Sequence, residues 1–462
     1  MAIAKLDDNL KVTTETRASE NPYLSGNFAP MIHETTAFDL QVRGRVPDEL
    51  EGRFTRIGPS PLGSVDPARY HWFTGTGLVH GLRLRGGRAE WYRSRFTLSA
   101  DAVAALGRPP IPGPGEGKRR DAVNTNVLAI GGHVHALVEG GALPIELDYN
   151  LESVARSDFG STLEGGFTAH TKRDPVTGES VALTYEGGRP TVRYVVVDAA
   201  GRAETRADIA LPHGPMVHDV GFTQNFIIVL DLPVTFQPQR SPGHVFPYFW
   251  NEQQAPRIGL LPRNGDLAGL KWFEAPACYV FHIVNAYEAE GGEVVVDVVR
   301  HPRMFVHDTH GPNEGAPVLV RWTLDRTRGR ITERVLDDHG GEFPRFDDRL
   351  GGQNYRYAYT AHWWGDSLSS GPAFKHDVRN GRTEVHDFGP GHASLEPVFV
   401  PRSGATGEDD GYIMSYVYNG ERNSSEVAIL SAQDFTGQPL AVVELPVRVP
   451  FGFHGNWVPD RP

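Results

Sequence analysis

Residues 217–230 read VHDVGFTQNFIIVL and place one histidine just ahead of a run that can only be buried. The run at 226–230 is too short to cross a membrane and too rich in β-branched residues to favour a helix, so it predicts a central β-strand. His218 is therefore expected to face inward. A single histidine beside such a strand is more often a hydrogen-bonded core residue than a ligand, but three other places in the chain show the same arrangement.

These three places are FTAHTK at 167–172, YVFHIVN at 279–285 and FGFHGNW at 451–457, which contain His170, His282 and His454. Imidazole is the commonest neutral metal ligand in proteins, and a buried imidazole needs a partner for each ring nitrogen. The histidines are too far apart in the chain for a local zinc-finger motif. They can meet only if a closed fold brings distant strands to one axis.

Four neutral histidines leave the charge of a metal ion uncompensated, so acidic residues are expected just behind them. Three glutamates in apolar surroundings qualify, because a buried carboxylate is costly unless it is paired. They are Glu139 in ALVEGG, Glu342 in GEFPR and Glu396 in LEPVFVPR. Salt bridges to the nearby Arg345 and Arg402 are the alternative explanation for the last two.

Short apolar runs separated by turn residues recur from residue 38 onward and predict antiparallel hairpins. The 52 glycines and 35 prolines are spread along the chain, which is typical of an all-β protein with many tight turns. Many hairpins without an obvious linker favour one closed radial arrangement, such as a propeller, over several sandwiches. The longest helical candidate, residues 99–106, precedes a proline-rich segment at 109–114 and is expected outside the sheets.

Composition restricts the partners. The net charge of −12 argues against nucleic acid, since phosphate binding needs a basic face, and the only cationic cluster is at 118–120. The single cysteine, Cys278, excludes an internal disulfide and leaves the cytoplasm as the default compartment. Residues 1–20 are polar and lack the apolar region of a signal peptide. Docking on a membrane surface and the oligomeric state stay open.

Several motifs together resemble the carotenoid cleavage oxygenase family, which includes the stilbene-cleaving and phenylpropenoid-cleaving dioxygenases. They run in order over nearly the whole chain: GRFTRIGPS at 52–60, AHTKRDPVTGE at 169–179, MVHD at 216–219, VFHIVNA at 280–286, EFPR at 342–345 and EPVFVPR at 396–402.

This resemblance implies a single domain over residues 1–462, built as a seven-bladed β-propeller with an N-terminal arm at 1–35 and cap loops inserted between blades. It implies Fe(II) on the axis, held by His170, His218, His282 and His454. The resemblance also implies that Glu139, Glu342 and Glu396 hydrogen-bond three of these histidines from behind. A cap of loops and short helices would cover an apolar tunnel, with segments 96–114 and 244–250 as contributors and Val138, Phe96 and Phe281 as wall residues.

The chain departs from the family pattern in three places. Segment 75–80 reads GTGLVH without the usual acidic residue, which leaves His80 as a turn or interface residue. Val138 stands where the phenol-cleaving relatives have a lysine just before the first of these glutamates. Segment 95–98 reads RFTL and offers no counterpart of their accompanying tyrosine.

The sequence therefore predicts a non-haem Fe(II) dioxygenase that uses O₂ to cleave a C=C bond of a carotenoid or apocarotenoid into two carbonyl products. Cleavage of hydroxystilbenes or isoeugenol-type phenylpropenoids is the alternative, and the path through a dioxetane or an epoxide stays open. Four neutral nitrogen ligands suit Fe(II) and leave two positions free. Two other classes remain: a metal-dependent hydrolase with Asp219 as general base, and a non-catalytic binding propeller.

Overall fold

The computed structural model describes residues 21–115, 122–240, 245–363 and 371–460. Three features of the sequence fall on residues outside these ranges. They are the first twenty residues of the predicted N-terminal arm, the cationic cluster at 118–120, and His244 at the start of a predicted tunnel segment.

The strands within the described ranges form seven sheets of four to six strands, which we call blades 1 to 7, and one two-stranded ribbon. Every strand pairing in these sheets is antiparallel, as the hairpin pattern predicts. The turn between Thr191–Val197 and Ala203–Ala210 places Gly201 at φ 78°, a conformation that glycine adopts readily.

The first four blades consist of the following strands. Blade 1 contains Thr35–Phe38, Gly52–Pro59, Gly77–Arg85, Arg88–Phe96 and Gly455–Pro459. Blade 2 contains Asn126–Ile130, His133–Leu137, Ile145–Leu147 and Ser153–Arg156. Blade 3 contains Lys172–Arg173, Ser180–Tyr185, Thr191–Val197 and Ala203–Ala210. Blade 4 contains Gly221–Phe222, Phe226–Asp231, Arg257–Pro262 and Lys271–Glu274.

The remaining blades and the ribbon complete the set. Blade 5 contains Tyr279–Glu288, Val294–His301, Val318–Asp325 and Arg330–Asp337. Blade 6 contains Gly341–Phe346, Tyr357–His362, Ala373–Asp377 and Arg382–His386. Blade 7 contains Val42–Gly44, His392–Ser394, Val398–Pro401, Gly411–Asn419, Ser424–Ser431 and Ala441–Glu444. The ribbon pairs Val234–Phe236 with Tyr248–Trp250.

Neighbouring blades meet through their innermost strands. Tyr279–Glu288 of blade 5 contacts Gly221–Phe222 of blade 4 on one side and Gly341–Phe346 of blade 6 on the other. Gly455–Pro459 of blade 1 contacts Asn126–Ile130 of blade 2 and an inner strand of blade 7. The seven blades thus close around one axis, which confirms the predicted seven-bladed β-propeller.

Segments distant in sequence close the ring. Gly455–Pro459 pairs with Gly52–Pro59 in blade 1, so the C-terminal strand becomes the innermost strand of an N-terminal sheet. Just before it, Gly452 packs on Gly58, and a Cβ built on Gly58 would lie 2.6 Å from the Gly452 Cα. Only glycine permits this close approach, which brings the next residues of the chain against the axis.

Buried apolar side chains pack between neighbouring blades. Val196 of blade 3, Ile228 of blade 4 and Val296 of blade 5 belong to one cluster of buried side chains. Burying each aliphatic side chain of this size contributes roughly 1.5–3 kcal/mol. The apolar run at 226–230 forms the strand Phe226–Asp231 and lies inside this cluster, as predicted.

One α-helix, Ala100–Leu106, occurs in the described part of the chain, within the segment expected to be helical. The Ser99 side chain accepts a hydrogen bond from the Ala102 backbone N–H and caps its start. Ile111, just after the helix, packs with Val127 in the core of blades 1 and 2, so this segment lies beside a blade. The short 3₁₀ helices are Pro22–Leu24, Gly26–Phe28, Trp72–Thr74, Pro238–Arg240, Leu267–Gly269 and Asp348–Leu350. Among the helices in the described ranges, none has both the length and the apolar character needed to span a bilayer.

Candidate metal centre

Each blade supplies one of the seven residues singled out from the sequence. The four histidines come from blades 1, 3, 4 and 5, and they are His454, His170, His218 and His282 respectively. The three glutamates come from blades 2, 6 and 7, and they are Glu139, Glu342 and Glu396 respectively. The propeller therefore brings together residues that lie up to 315 positions apart.

The four histidines form one compact, buried group. One ring nitrogen from each lies within 4.8 Å of the corresponding nitrogen of every other. The Nε2 atoms of His282 and His454 are 3.1 Å apart. The ring centroid of His170 lies 4.4 Å from those of His218 and His454. Such a group could hold one metal ion.

Glu139 fixes the orientation of His218. The Nδ1 atom of His218 lies 2.8 Å and 2.9 Å from the two carboxylate oxygens of Glu139. An ionised carboxylate only accepts hydrogen bonds, so Nδ1 carries the proton. The Nε2 atom then has a free lone pair that can bind a metal ion. Burial opposes protonation, but Glu139 outweighs it and raises the pKa of His218. A metal ion would therefore compete with a proton for this imidazole.

Glu342 bridges two histidines. Its Oε2 accepts a hydrogen bond from His282 Nδ1 at 2.6 Å, and its Oε1 accepts one from His301 Nε2 at 2.9 Å. Burial alone would raise the pKa of this carboxyl, but His282 and His301 outweigh it and hold the pKa far below its ordinary value. Glu342 thus stays ionised and is paired with His282 and His301. The alternative was a salt bridge between Glu342 and Arg345.

Glu396 interacts with a histidine, an arginine and a backbone N–H group. Its Oε1 lies 2.8 Å from His454 Nδ1 and 3.5 Å from Arg345 Nη1, while its Oε2 accepts the Gly455 backbone N–H at 2.8 Å. Burial alone would raise the pKa of Glu396, but these partners lower it to about 2. Arg402, the arginine expected as the alternative partner of Glu396, pairs with Asp410 instead, and Arg345, expected beside Glu342, lies beside Glu396.

His170 differs from the other three because no glutamate lies behind it. Its Nε2 is buried and has no hydrogen-bond partner among the described residues. Burial and the three neighbouring histidines hold the pKa of His170 far below its ordinary value, so the ring is neutral. A buried nitrogen lone pair without a partner is costly, and a metal ion is the partner that fits this position.

The donor set therefore suits a first-row divalent metal. Three imidazoles have their Nδ1 atoms fixed by carboxylates, which leaves their Nε2 atoms available at the axis. Imidazole suits Fe, Zn, Cu and Ni, and the carboxylates behind the ring offset the charge of the cation. The residues present fit the metal that the family resemblance implies.

Asp219, the candidate general base of a hydrolase, is fully engaged elsewhere. It forms an ion pair of 3.0 Å with Lys172 and accepts the Ile283 and Val220 backbone N–H groups at 2.8 Å and 2.7 Å. Lys172 also donates to the Ile283 carbonyl. These contacts join the inner segments of blades 3, 4 and 5 that contain His170, His218 and His282, so Asp219 helps to position the histidines.

A mostly apolar cavity of about 150 Å³ opens onto the histidines. Nine of the residues that line it have large aromatic side chains, and they are Trp72, Phe73, Tyr185, Phe246, Tyr248, Phe281, Phe343, Trp363 and Phe453. Val138 and Phe281 line this cavity as the sequence predicts. The cover comes from the 3₁₀ helix Trp72–Thr74 and from Phe246 and Tyr248 of the predicted segment at 244–250.

Two sequence expectations need correction. Phe96 does not line the cavity, because Arg88–Phe96 is the fourth strand of blade 1 from the axis and its terminal N–H donates to Glu34. No other residue of segment 96–114 reaches the cavity either. His80 lies in no turn but is buried in the strand Gly77–Arg85, 2.7 Å from the Tyr92 hydroxyl.

Sequence reasoning missed two residues of the site. His301 ends the strand next to the inner strand of blade 5 and is paired with Tyr279 in register. Tyr185 ends the second strand of blade 3 and lines the cavity. The signal for His301 was an apolar strand, Val294–His301, that ends in a histidine.

Comparisons with known proteins match nearly the whole chain. The family model for RPE65, the retinal pigment epithelial membrane protein, matches residues 28–459. A carotenoid cleavage oxygenase of Mycobacterium tuberculosis (strain CDC 1551 / Oshkosh) is 40% identical over 499 residues, covering 97% of this chain and 99% of that protein. An isoeugenol monooxygenase of Pseudomonas nitroreducens is 31% identical over 473 residues, covering 95% of this chain and 98% of that protein. The crystal structure of Pseudomonas brassicacearum lignostilbene dioxygenase superimposes with a TM-score of 0.85 at 27% identity, covering 95% of this chain and 99% of that one.

Proposed function

This chain belongs to the carotenoid cleavage oxygenase family, and we propose that it is a non-haem Fe(II) dioxygenase that splits a C=C bond of a carotenoid or apocarotenoid into two carbonyl products. The observation that carries the proposal is the group of four imidazoles, contributed by four different blades, at the bottom of an apolar cavity.

His170, His218, His282 and His454 would hold the iron through neutral nitrogen atoms. When bound, ferrous iron supplies the one-electron chemistry that lets dioxygen react with an alkene. Glu139, Glu342 and Glu396 keep three of the rings oriented by accepting their Nδ1 protons. The three glutamates act on the histidines and transfer no proton to or from the substrate.

The cavity wall would bind the substrate and exclude water. Flat aromatic rings pack well on a planar conjugated chain, and each buried Å² of apolar surface contributes about 25 cal/mol to binding. Phe281 packs its ring 5.2 Å from the His218 ring, centroid to centroid, and so joins this wall to the histidines. An alkene lying on Phe281 would be held beside the proposed iron without contacting an acid or a base.

Val138 supports the carotenoid assignment. It lies one residue before Glu139 in the cavity wall, where it offers an aliphatic surface and no hydrogen-bond donor. A long polyene is stabilised there by burial alone. Because such a substrate is nearly insoluble in water, we propose that it reaches the protein from a membrane or micelle.

Cleavage of a hydroxystilbene or an isoeugenol-type phenylpropenoid is the second candidate. It is favoured by the isoeugenol monooxygenase and lignostilbene dioxygenase relatives and by the aromatic character of the wall. Both candidates would use the same four histidines, and they differ in the length and the end groups of the alkene that the cavity must accept.

The test is cleavage of an apocarotenoid under ¹⁸O₂ by protein that has been loaded with one Fe(II) per chain. We expect both carbonyl products to carry one labelled oxygen when they are reduced to alcohols immediately to prevent exchange with water. Matched reactions with Zn(II)-loaded protein should give no cleavage. If only one product carried the label, the dioxygenase assignment would be wrong, and cleavage by the zinc form would contradict the iron chemistry.

A further inference from the structure

His170 is the histidine of the centre whose ring is not held by a glutamate of the described residues. It also lies outside the paired strands, two residues before the short strand Lys172–Arg173. His282, by contrast, lies within the strand Tyr279–Glu288 and is hydrogen-bonded to Glu342 as well. The position of His170 must therefore depend on what holds the backbone beside it.

The side-chain amide of Asn126 holds this backbone. Asn126 lies in the inner strand of blade 2, and its Nδ2 donates a hydrogen bond to the Ala169 carbonyl at 2.9 Å. Ala169 is buried and directly precedes His170, so the bond joins blade 2 to blade 3 one peptide away from the histidine. A buried carbonyl that lost its donor would be costly, and its peptide could turn. Asn126 thus fixes the direction in which the chain reaches His170.

The orientation of the Asn126 amide is set by Arg345. The Arg345 Nη2 atom donates to Asn456 Oδ1 at 2.8 Å, and a guanidinium group can only donate. Asn456 must therefore direct its Nδ2 to the other side, where it donates to Asn126 Oδ1 at 3.0 Å and to the Val127 carbonyl at 2.8 Å. The Asn126 Oδ1 atom also accepts the Val127 N–H at 2.8 Å. Its Nδ2 is then left to face the Ala169 carbonyl.

The same arginine holds the segment that contains His454. Arg345 donates to the Gly455 carbonyl at 3.1 Å and lies 3.5 Å from Glu396, whose carboxylate accepts the His454 Nδ1 proton. The ring centroids of His170 and His454 are 4.4 Å apart. One guanidinium group in blade 6 is thus connected to two neighbouring histidines, to His454 through a carboxylate and to His170 through two amides.

We propose that Asn126 is the positioning residue for His170 and that Asn456 connects it to Arg345. Asn126 does not line the cavity and acts on His170 through the Ala169 peptide. It does through the backbone what the three glutamates do through the ring nitrogens of the other histidines. This inference rests on the four-histidine centre of the proposed function and adds the residue that places its fourth ligand.

The experiment measures binding of Co(II) to wild-type protein, Asn126→Ser and the matched control Asn285→Ser. Asn285 is buried in the inner strand of blade 5, and its Oδ1 accepts the N–H of the next residue, Ala286, at 2.9 Å. Its Nδ2 donates to the Leu350 and Gln353 carbonyls at 3.1 Å and 3.0 Å, and neither of these residues adjoins a histidine of the centre.

Both serine variants lose buried hydrogen bonds, so both should lower the Tm of the metal-free protein. We expect Asn126→Ser alone to raise the Kd for Co(II) roughly 10-fold, as for loss of a partner behind a metal ligand. The visible absorption bands of bound Co(II), which report the arrangement of its ligands, should shift in Asn126→Ser and not in Asn285→Ser. A wild-type Kd and spectrum in Asn126→Ser would overturn the proposal.

A double-mutant cycle shows whether the effect passes through His170. In the His170→Ala background, Asn126→Ser should cause no further loss of Co(II) affinity. In the His218→Ala background, it should cause about the same 10-fold loss as in wild type, since residues that do not share a partner act additively. Equal losses in the two backgrounds would indicate a general loosening of the propeller and would contradict the role of Asn126.

A second variant covers the case in which Asn126→Ser does not fold. Asn126→Asp keeps the shape and the acceptor contacts of the side chain but presents an oxygen to the Ala169 carbonyl, and about pH 8 keeps it ionised. An added negative charge by itself favours a cation, so weaker Co(II) binding than in Asn285→Asp would support the proposal, and equal or tighter binding would contradict it. Wild-type protein that bound no Co(II) would instead overturn the four-histidine centre and the proposed function.

Discussion

The Nε2 atoms of His282 and His454 face each other at 3.1 Å. Each ring donates its Nδ1 proton to a glutamate, so both Nε2 atoms carry lone pairs directed toward the axis. A cation between the four rings would accept both lone pairs, so the hydrogen bonds to the glutamates orient these rings to hold a metal ion.

Metal binding should accordingly stabilise the protein. At a free Fe(II) concentration of 100 times Kd, a ligand that binds only the folded state adds about 2.7 kcal/mol to the free energy of unfolding. We expect a higher Tm with Fe(II) than with chelator, measured anaerobically by calorimetry.

Replacing one histidine tests the same centre. His282→Ala should abolish retention of iron and the metal-dependent rise in Tm. The control is His135→Ala, which removes a buried histidine of blade 2 that lies outside the cavity and should retain one iron per chain. A His282→Ala protein with full iron content would remove His282 from the site.

The glutamates should act through the histidines. Removing a hydrogen-bonding partner behind a metal ligand typically costs ~10- to 100-fold in metal affinity. Glu139→Gln should therefore weaken iron binding, as measured by competition with a chelator, with a small effect on folding. Glu396→Gln should also lower the free energy of unfolding, because the half-buried Arg345 guanidinium loses one of its two carboxylate partners among the described residues and keeps only Asp348, at 3.6 Å. Loss of turnover at normal iron affinity would instead indicate that the glutamate contacts the reacting atoms.

His301 should behave as a positioning residue for Glu342. His301→Phe keeps a ring of similar size but removes the hydrogen bond to Glu342 Oε1, which is worth about 1–3 kcal/mol for a charged acceptor. We expect weaker iron binding than in wild type and stronger binding than in Glu342→Gln, because the contact of Glu342 with His282 remains. Iron affinity equal to that of wild type would show that His282 alone holds Glu342.

Acid should destabilise the metal-free protein through Glu396. Its pKa is about 2 in the folded state, below the ordinary value of about 4.3 for an unfolded glutamate. A carboxylate with a lowered pKa contributes stability above its unfolded pKa and loses it as the pH falls through the folded pKa. Urea unfolding of chelated protein should show declining stability from about pH 4.5 downward. The slope should be shallower in Glu396→Gln, and equal slopes would contradict this origin.

The sequence predicted the four histidines and three glutamates because each carries a local signal, a chargeable side chain inside an apolar strand or at its end. The role of Phe96 was wrong because distance from the axis depends on the order of strands within blade 1, which no local pattern encodes. His301 was missed because its contact with Glu342 joins two different blades, and no local pattern in the sequence encodes such a contact.

Val138 offers the sharpest test of substrate preference. Val138 lines the cavity one residue before Glu139, so a lysine there would add a cation to the cavity wall. In Val138→Lys we expect kcat/KM for 4-hydroxystilbene, relative to an apocarotenal, to rise about 10-fold, as for one hydrogen bond to a charged group. The polyene should lose affinity, since it would have to desolvate the ammonium group.

The control is Val138→Met, whose side chain has much of the length of lysine but no charge. It should leave the ratio of the two kcat/KM values near that of wild type. Iron content must be measured in each variant, because the new lysine could also draw Glu139 away from His218. If both variants changed the ratio of the two kcat/KM values equally at full iron content, the substrate preference would depend on the volume of residue 138. The absence of a hydrogen-bond donor on Val138 would then not be its cause.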